Sequence, residues 1–243
     1  MKRVDLEIIK NEPLTDSVMR MVLKGDVSDI RAGQFVNIKL DGLYLRRPIS
    51  VCDLDGDTLT IIYKIVGEGT EKMSKLTAGK LDVLTGLGNG YDLTVSGKRP
   101  VLIGGGVGVP PMYLLAKKLI MDGFDTTVIL GFNTKSEIFY EEEFKKLGAK
   151  VIVTTVDGSY GQKGFVTDAL KNIDYTYFYT CGPEPMLKAL FKATTTEGQL
   201  SFEERMGCGF GACMGCSCKT IYGNKRICKE GPVLRKEEIL WEK

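Results

Sequence analysis

Short stretches that alternate apolar and polar residues fill the first 97 positions. They are VDLEIIKNEPL, SVMRMVLKG, GQFVNIKL, RRPISVCDLDGDTLTIIYKIV and KLDVLTG, separated by Gly, Asp and Asn. A period of two indicates strands, and the punctuation indicates turns. Residues 55–57 (DGD) predict a hairpin turn, and residues 69–76 (GTEKMSKL) predict a short helix that begins at Thr70. The pattern predicts a small antiparallel β barrel over residues 1–97.

The pattern changes near Ser96 to Pro100, where apolar runs begin to alternate with helical segments. DTTVILGF and KVIVTTVDG read as strands, EEEFKKLG and FVTDALKN read as helices, and two longer stretches run from a strand through a glycine turn into a helix. Such alternation predicts a parallel sheet with helices on both faces. We expect this α/β domain at residues 98–200 and a small third domain at residues 201–243.

Composition excludes several classes of function. The chain of 243 residues has 33 basic and 31 acidic side chains without a long run of either sign, which argues against nucleic acid and anionic membranes. The charged N-terminus does not resemble a secretory signal, and the longest uncharged run is too short and broken for a membrane span. We therefore expect a cytoplasmic protein whose partners are small molecules or other proteins.

Histidine is absent, and cysteine occurs seven times. The missing histidine excludes serine–histidine triads, histidine-ligated zinc and Rieske centres, so the chemistry must need little proton shuttling. An odd number of cysteines in a chain without an export signal favours metal binding over a disulfide framework for any tight cluster.

Two glycine loops in residues 98–200 are candidates for a nucleotide site. The first contains Gly104, Gly105, Gly106 and Gly108, and the second contains Cys181, Gly182 and Pro183. Each loop joins a strand to a helix, where bare backbone N–H groups can approach a pyrophosphate. A tight turn without a ligand is the alternative for either loop alone. Two such loops at the carboxyl edge of one sheet favour a dinucleotide cleft, lined by Cys181.

The barrel region holds candidates for a flavin site, although each is unremarkable alone, because exposed arginines are usually solvated and strand tyrosines usually lie in the core. Arg47 can pair with a phosphate, and Ser50 can bond a ring nitrogen. Tyr63 can stack on a ring, and the Gly69-Thr70 pair can hold a pyrophosphate at a helix start. The residues alone give the candidates Arg47, Pro48, Ser50, Tyr63, Gly69 and Thr70, and the family resemblance given below adds Ile49, Ile62 and Lys64.

The segment ERMGCGFGACMGCSCKTIYGNKRIC (204–228) contains five of the seven cysteines. Cys208, Cys213 and Cys216 give the C-x4-C-x2-C spacing of plant-type [2Fe-2S] proteins, and Cys228 supplies the distant fourth ligand. The interspersed glycines suit a loop that wraps a cluster and directs N–H groups at sulfur. Structural zinc is the alternative, but it more often uses paired C-x2-C knuckles.

Five thiols compete for four ligand positions. Residues 217–228 read as a hairpin that turns at Gly223-Asn224, which places Lys219 opposite Cys228. Because side chains alternate along a strand, Cys218 and Cys228 then point to opposite faces. This register predicts that Cys218 is the cysteine that does not bind metal.

The order of RRPIS, GEGT, GLGNGYDL, GGGVGVPPM and CGPEPM resembles the ferredoxin-NADP reductase superfamily over residues 5–195. The resemblance implies an FAD-binding barrel followed by a nicotinamide-binding domain. It assigns Arg47 and Ser50 to the flavin phosphate and ring, and residues 62–64 and 69–70 to the remaining flavin contacts. Ile49 stands where many members carry an aromatic residue.

The C-terminal run FEERMGCGFGACMGCSCK is similar to that of the electron-transfer subunits of dihydroorotate dehydrogenase B, and so are the length and domain order. The resemblance implies FAD, a [2Fe-2S] cluster and NAD, and a hetero-oligomer with an FMN-containing catalytic subunit in pyrimidine biosynthesis. Electrons would pass from that FMN through the cluster and FAD to NAD⁺. NAD is favoured only by this resemblance, because residues 133–135 (NTK) leave NADP open.

Two alternatives remain from the sequence. One is the small subunit of an NADH-dependent ferredoxin:NADP oxidoreductase, although Cys208 stands at a ligand position where that family has an aspartate. The other is a non-catalytic zinc-binding adaptor, which would need neither flavin motif.

Overall fold

A computed structural model describes residues 1–241, and its first part is a closed six-stranded barrel. All neighbouring strands pair antiparallel in the order β1-β2-β5-β4-β3-β6, which confirms the predicted barrel. The elements are β1 (Lys2–Pro13), β2 (Val18–Lys24), β3 (Phe35–Ile38), β4 (Arg47–Asp55), β5 (Thr58–Lys64), α1 (Glu68–Ser74) and β6 (Lys80–Leu87). Asp55 pairs with Thr58 across the predicted hairpin turn.

The second part is an α/β unit. Its elements are β7 (Pro100–Gly105), α2 (Pro110–Met121), β8 (Thr127–Phe132), α3 (Glu141–Lys146), β9 (Lys150–Thr155), β10 (Gln162–Lys163), α4 (Val166–Leu170), β11 (Tyr177–Cys181), α5 (Glu184–Ala193) and β12 (Gly198–Ser201). Helices cover both faces, because α2 and α3 pack in one apolar core whereas α4 and α5 pack in the other. The prediction of helices on both faces of a parallel sheet is confirmed.

The strand order β10-β9-β8-β7-β11-β12 places β7 at a switch point. From β7 the chain adds strands first on one side, through β8 and β9, and then on the other, through β11 and β12. Ligands of open α/β sheets bind outside the carboxyl ends of the strands at such a point. The fold therefore directs attention to the loops that follow β7 and β11.

The third part begins with a two-stranded hairpin, β13 (Ser217–Thr220) and β14 (Gly223–Arg226), and ends with β15 (Val233–Arg235). β15 does not stay with the hairpin, because it pairs antiparallel with β12 at the edge of the α/β sheet. Residues 201–243 were expected as a separate small domain. The last strand of this segment pairs with the edge of the second unit, and the domain boundaries stay a prediction.

The barrel and the α/β unit share an extensive contact. Lys117 of α2 donates to Asp53 Oδ1 at 2.9 Å and to the Leu54 carbonyl at 3.0 Å, both on β4. In the linker, the Tyr91 hydroxyl donates to the Thr180 carbonyl at 3.1 Å. The two Lys117 bonds hold the end of β4 against the helix that follows the first glycine loop, and the Tyr91 bond holds the linker against β11. Among the helices of residues 1–241, none has the length and apolar character needed to cross a membrane.

Candidate functional site

The start of β4 and the start of α1 meet at the candidate flavin segment. Arg47 crosses directly over Gly69, because a Cβ on Gly69 would lie 1.9 Å from Arg47 Nε. Thr70 secures the loop before the helix, since its hydroxyl accepts from the Val66 N–H at 2.9 Å and donates to the Gly67 carbonyl at 3.0 Å. The structure thus brings Arg47 to the Gly69-Thr70 pair, which lies far from it in the sequence. A side chain at position 69 would force the guanidinium to move.

Tyr63 is placed differently from the sequence expectation. Its side chain is only 2% exposed, and its hydroxyl donates to Asn11 Oδ1 at 3.0 Å. Burial raises the pKa of the phenol to about 12, so it stays protonated at neutral pH. The ring belongs to the barrel core and presents no face on which a flavin could stack. Ile62 is also buried, whereas Lys64 is exposed at the end of β5.

The two glycine loops of the α/β unit touch each other at the switch point. A Cβ on Gly108 would lie 2.2 Å from the Cys181 carbonyl oxygen, and one on Gly182 would lie 3.3 Å from the Gly105 nitrogen. Gly106 has φ +53° and nothing within 4 Å of its Cβ position. Glycine is therefore required at 108 by close packing and at 106 by its backbone conformation.

The first loop leads directly into α2, with Pro110 and Pro111 in the first helical turn. The positive end of the helix dipole lies beside the loop, which suits a pyrophosphate. Pro110 and Pro111 carry no N–H, and the Met112 N–H is bonded to the Val109 carbonyl at 3.0 Å, so N–H donors to a phosphate would come from the loop itself. Gly104 packs closely against Val109, because a Cβ on Gly104 would lie 2.7 Å from Val109 Cα, and this close approach brings the strand onto the helix. Burial raises the pKa of the nearby Cys181 thiol to about 12, so this side chain is neutral in the cleft.

Backbone N–H groups join four of the five clustered cysteines in two pairs, Cys208 with Cys213 and Cys216 with Cys228. The Ala212 and Cys213 N–H groups donate to Cys208 Sγ at 3.2 and 3.4 Å, and the Cys208 N–H donates to Cys213 Sγ at 3.5 Å. The Cys228 N–H donates to Cys216 Sγ at 3.4 Å. Amide donors of this kind stabilise thiolate sulfur, which is the form that binds metal.

The pKa of Cys208 shows the effect of these donors. Partial burial raises the pKa of this thiol, but backbone N–H groups of residues 210, 212 and 213 outweigh burial and lower it to about 6. Burial and the neighbouring Cys216 raise the pKa of Cys228 to about 12. In residues 1–241 no group of three or more His, Cys, Asp or Glu side chains is placed to hold a metal ion. The four thiols share one segment without forming a closed ligand cage.

The predicted hairpin register is wrong. The turn lies at Ile221 and Tyr222 instead of Gly223 and Asn224, because Thr220 pairs with Gly223 and Cys218 pairs with Lys225. The Thr220 hydroxyl fixes this turn by accepting from the Tyr222 N–H at 3.2 Å and donating to the Gly223 carbonyl at 2.8 Å. Gly223 has the positive φ of +99° that is common in turns, which explains the turn signal in the sequence. This residue nevertheless begins the second strand of the hairpin.

The corrected register still separates Cys218 from the other thiols. The Ile227 N–H donates to the Cys216 carbonyl at 3.0 Å, which sets Cys228 beside Cys216. Cys218 lines a pocket with Phe202, Glu204 and Trp241. The backbone donors of this segment and the softness of thiolate sulfur fit an iron–sulfur cluster at Cys208, Cys213, Cys216 and Cys228. The ligand set itself stays a prediction.

Comparison with known proteins agrees with this reading. Residues 102–192 match the oxidoreductase NAD-binding domain, and residues 203–240 match the iron-sulfur cluster binding domain of dihydroorotate dehydrogenase B. A barrel, a nucleotide-binding sheet and a C-terminal iron–sulfur domain define an electron-transfer oxidoreductase of the ferredoxin reductase type. Within this class, the chain belongs to the family of electron transfer subunits of dihydroorotate dehydrogenase B (NAD(+)).

The family membership rests on relatives of nearly full length. The electron transfer subunit of dihydroorotate dehydrogenase B (NAD(+)) from Fusobacterium nucleatum subsp. nucleatum is 46% identical, covering 98% of this chain and 99% of that protein. The corresponding subunit from Bacillus pumilus is 44% identical, covering 98% of each. A non-catalytic zinc adaptor does not account for these relationships.

Solved structures show the same architecture. A chain of the NADH-dependent reduced ferredoxin-NADP oxidoreductase, studied for flavin-based electron bifurcation, has a TM-score of 0.87 and 31% identity, covering 97% of this chain and 90% of that one. The ferredoxin NADP+ reductase from Neisseria gonorrhoeae has a TM-score of 0.69 at 19% identity, covering 79% of this chain and 90% of that chain. This second similarity concerns the fold alone.

Proposed function

We propose that this chain carries electrons from the FMN of a dihydroorotate-oxidising partner subunit, through a [2Fe-2S] cluster and FAD, to NAD⁺. When bound, the flavin converts between the single electrons that the cluster carries and the electron pairs that move as hydride. The family name states that members are electron transfer subunits, which implies a catalytic subunit elsewhere. An FMN-containing partner, a hetero-oligomer such as a heterotetramer, and a cytoplasmic location are part of this proposal.

The position of β4 is the observation that carries the proposal. At its start, Pro48 lies across from Asn37 of β3, and the Asn37 amide donates to the Cys208 carbonyl at 3.3 Å. Near its end, Asp53 accepts from Lys117 of α2 at 2.9 Å. β4 thus contacts α2, the helix of the nucleotide loop, directly, and it is connected to the cysteine segment through its neighbour β3. A flavin held at this strand would lie between the other two centres.

The residues divide the work between three sites. Arg47 and the start of α1 would hold the FAD phosphates, and Ser50 would bond the flavin ring. The loops at residues 104–108 and 181–183 would hold the NAD pyrophosphate at the start of α2. Cys208, Cys213, Cys216 and Cys228 would ligate the cluster.

The test is reconstitution with the partner. The chain is co-expressed with an FMN-containing dihydroorotate dehydrogenase, and dihydroorotate-dependent NAD⁺ reduction is followed by the absorbance of NADH. We expect turnover by the complex and none by this chain alone. A complex of both chains that is loaded with FMN, FAD and iron but does not reduce NAD⁺ would contradict the proposal.

A ferredoxin:NADP oxidoreductase function is the second candidate, favoured by the near-complete structural match to the bifurcating enzyme. Assay of the chain with the large subunit of that enzyme distinguishes the two, because that function requires reduced ferredoxin, NADH and NADP⁺. Turnover of these substrates, together with inactivity toward dihydroorotate, would reverse the order of the two candidates.

A further inference from the structure

Asn37 occupies the strand that separates the candidate flavin segment from the cysteine segment. Its neighbours Val36 and Ile38 are fully buried in the core of the barrel. Phe35, on the opposite face of β3, packs in the second core with Cys216 and Cys228. Side chains alternate along a strand, so Asn37 shares the outward face of Phe35, and the cysteine segment covers this face. Only 1% of Asn37 is exposed.

The Asn37 amide is fitted into the cysteine loop. Asn37 Nδ2 donates to the Cys208 carbonyl at 3.3 Å. A Cβ on Gly209 would lie 2.2 Å from the same nitrogen, and Gly209 has φ +78°. Asn37 Oδ1 is buried without a hydrogen-bond partner among the residues that the structure describes. A buried amide that leaves one polar atom unpaired costs free energy, so this position is not explained by stability alone.

The backbone of Asn37 faces the flavin segment. Asn37 pairs with Pro48, and Phe35 pairs with Ser50, in the β3–β4 ladder. Adjacent strands lie about 4.8 Å apart, so Asn37 is one strand spacing from the segment proposed to hold the flavin. Arg46, which precedes this segment, donates to the Asn37 carbonyl at 3.3 Å.

We propose that Asn37 is a positioning residue that fixes the Cys208 loop, and therefore the cluster, relative to the flavin. The proposal rests on the function given above, because it assumes that Cys208 is a cluster ligand. Asn37 contacts the main chain of this ligand on one side and the strand of the flavin segment on the other.

Two variants of the isolated, FAD-loaded and cluster-loaded chain test this role. Asn37→Leu keeps the branching at Cγ, adds volume and removes the donor, and we expect iron loss to a chelator to accelerate about 10- to 100-fold, as for other partners of metal ligands. Asn37→Asp adds a negative charge beside Cys208, and we expect a lower midpoint potential of the cluster and an altered electron paramagnetic resonance spectrum. In both variants NADH should reduce FAD at the normal rate and the cluster more slowly.

Asn89→Leu is the matched control. Asn89 also joins the barrel end to the C-terminal segment, donating from Nδ2 to the Val233 carbonyl at 2.6 Å and accepting from the Val233 N–H at 3.1 Å. Asn89→Leu weakens the contact between the barrel and the C-terminal segment but alters no contact of Cys208, so the cluster potential should stay at the wild-type value. Equal effects of Asn89→Leu and Asn37→Leu, or wild-type potential and iron retention in both Asn37 variants, would overturn the proposal.

The outcomes separate this inference from the proposed function. A wild-type chain that binds no iron removes the cluster and with it the function. A wild-type chain with a normal cluster and unaffected Asn37 variants leaves the function standing and removes only the role of Asn37. Neither measurement requires dihydroorotate or the partner subunit.

Discussion

At the residue scale, the most direct prediction concerns which of Cys218 and Cys228 is the fourth ligand of the cluster. Cys228 receives its place from its own N–H bond to Cys216 Sγ, whereas Cys218 lies beside Phe202 and Trp241. We expect Cys228→Ser to lose the visible absorbance of the cluster and Cys218→Ser to keep it, because only the first removes a ligand. Absorbance spectra and iron content of the two purified variants provide the measurement. Loss of the cluster in Cys218→Ser alone would show instead that Cys218 is the ligand and that Cys228 is not.

The same residues show what the sequence could and could not determine. The C-x4-C-x2-C spacing and the distant Cys228 are local patterns, so they indicated the candidate ligands directly. The hairpin register was missed because the Thr220 hydroxyl, and not the glycine, organises the turn. Burial of Tyr63 depends on how the barrel closes around Asn11, which a strand pattern does not specify. Asn37 carries no motif at all, and only the packing of two distant segments reveals it.

At the element scale, Asp82 of β6 joins two arginines at one end of the barrel. Its carboxylate accepts from Arg46 and from Arg3, each with an N–O distance of 2.7 Å. Burial raises the pKa of Asp82, but the two guanidinium groups outweigh burial and hold it below its usual value. Arg46 also donates to the Asp82 carbonyl at 3.0 Å, so the group braces the strand entry to the flavin segment.

We expect Asp82→Asn to lower the free energy of unfolding at pH 7 by about 1.5–3 kcal/mol, the usual value for hydrogen bonds to charged groups. A lowered folded-state pKa stabilises the protein above the unfolded-state pKa of about 3.9, and this contribution is lost as the pH falls through the folded-state pKa. The difference between wild type and variant should therefore be constant from pH 7 to about pH 5 and shrink below about pH 4. Urea unfolding at several pH values measures it. A difference that grows toward acid would contradict the assignment.

Elements with strong local signals were predictable. The helix after β5 begins at Glu68, two residues before the predicted start, and both glycine loops follow strands as expected. β15 was not predicted, because residues 233–235 are too short to show a period and acquire strand geometry only by pairing with β12. The antiparallel edge of the sheet is thus a tertiary effect.

At the scale of the whole molecule, β15 joins the cysteine segment to the α/β unit. Leu234 pairs with Leu200 of β12 and is 1% exposed in the second core, which also holds Cys216 and Cys228. This core therefore spans the sheet and the proposed cluster segment. A substitution that destabilises β15 should therefore destabilise both the sheet and the proposed cluster segment.

We expect Leu234→Ala to lower the free energy of unfolding by about 2–5 kcal/mol and to accelerate cluster loss. Leu240→Ala is the control, because Leu240 is 48% exposed and its truncation should change stability by no more than about 0.5 kcal/mol. Thermal unfolding and iron retention are measured for both variants. A Leu234→Ala protein as stable as the control would show that β15 does not anchor the segment.

The pairing of Ser201 with Val233 makes the two ends of residues 202–232 neighbours in space. The cysteine segment therefore leaves the sheet after β12 and returns to it at β15, at the same point of one sheet edge. A chain in which a tight turn replaces these residues would still close its sheet with β15. Such a chain would keep the flavin and nucleotide parts proposed above, but its second core would lose Cys216, Ile227 and Cys228, so the one-electron outlet also contributes to the packing of the reductase.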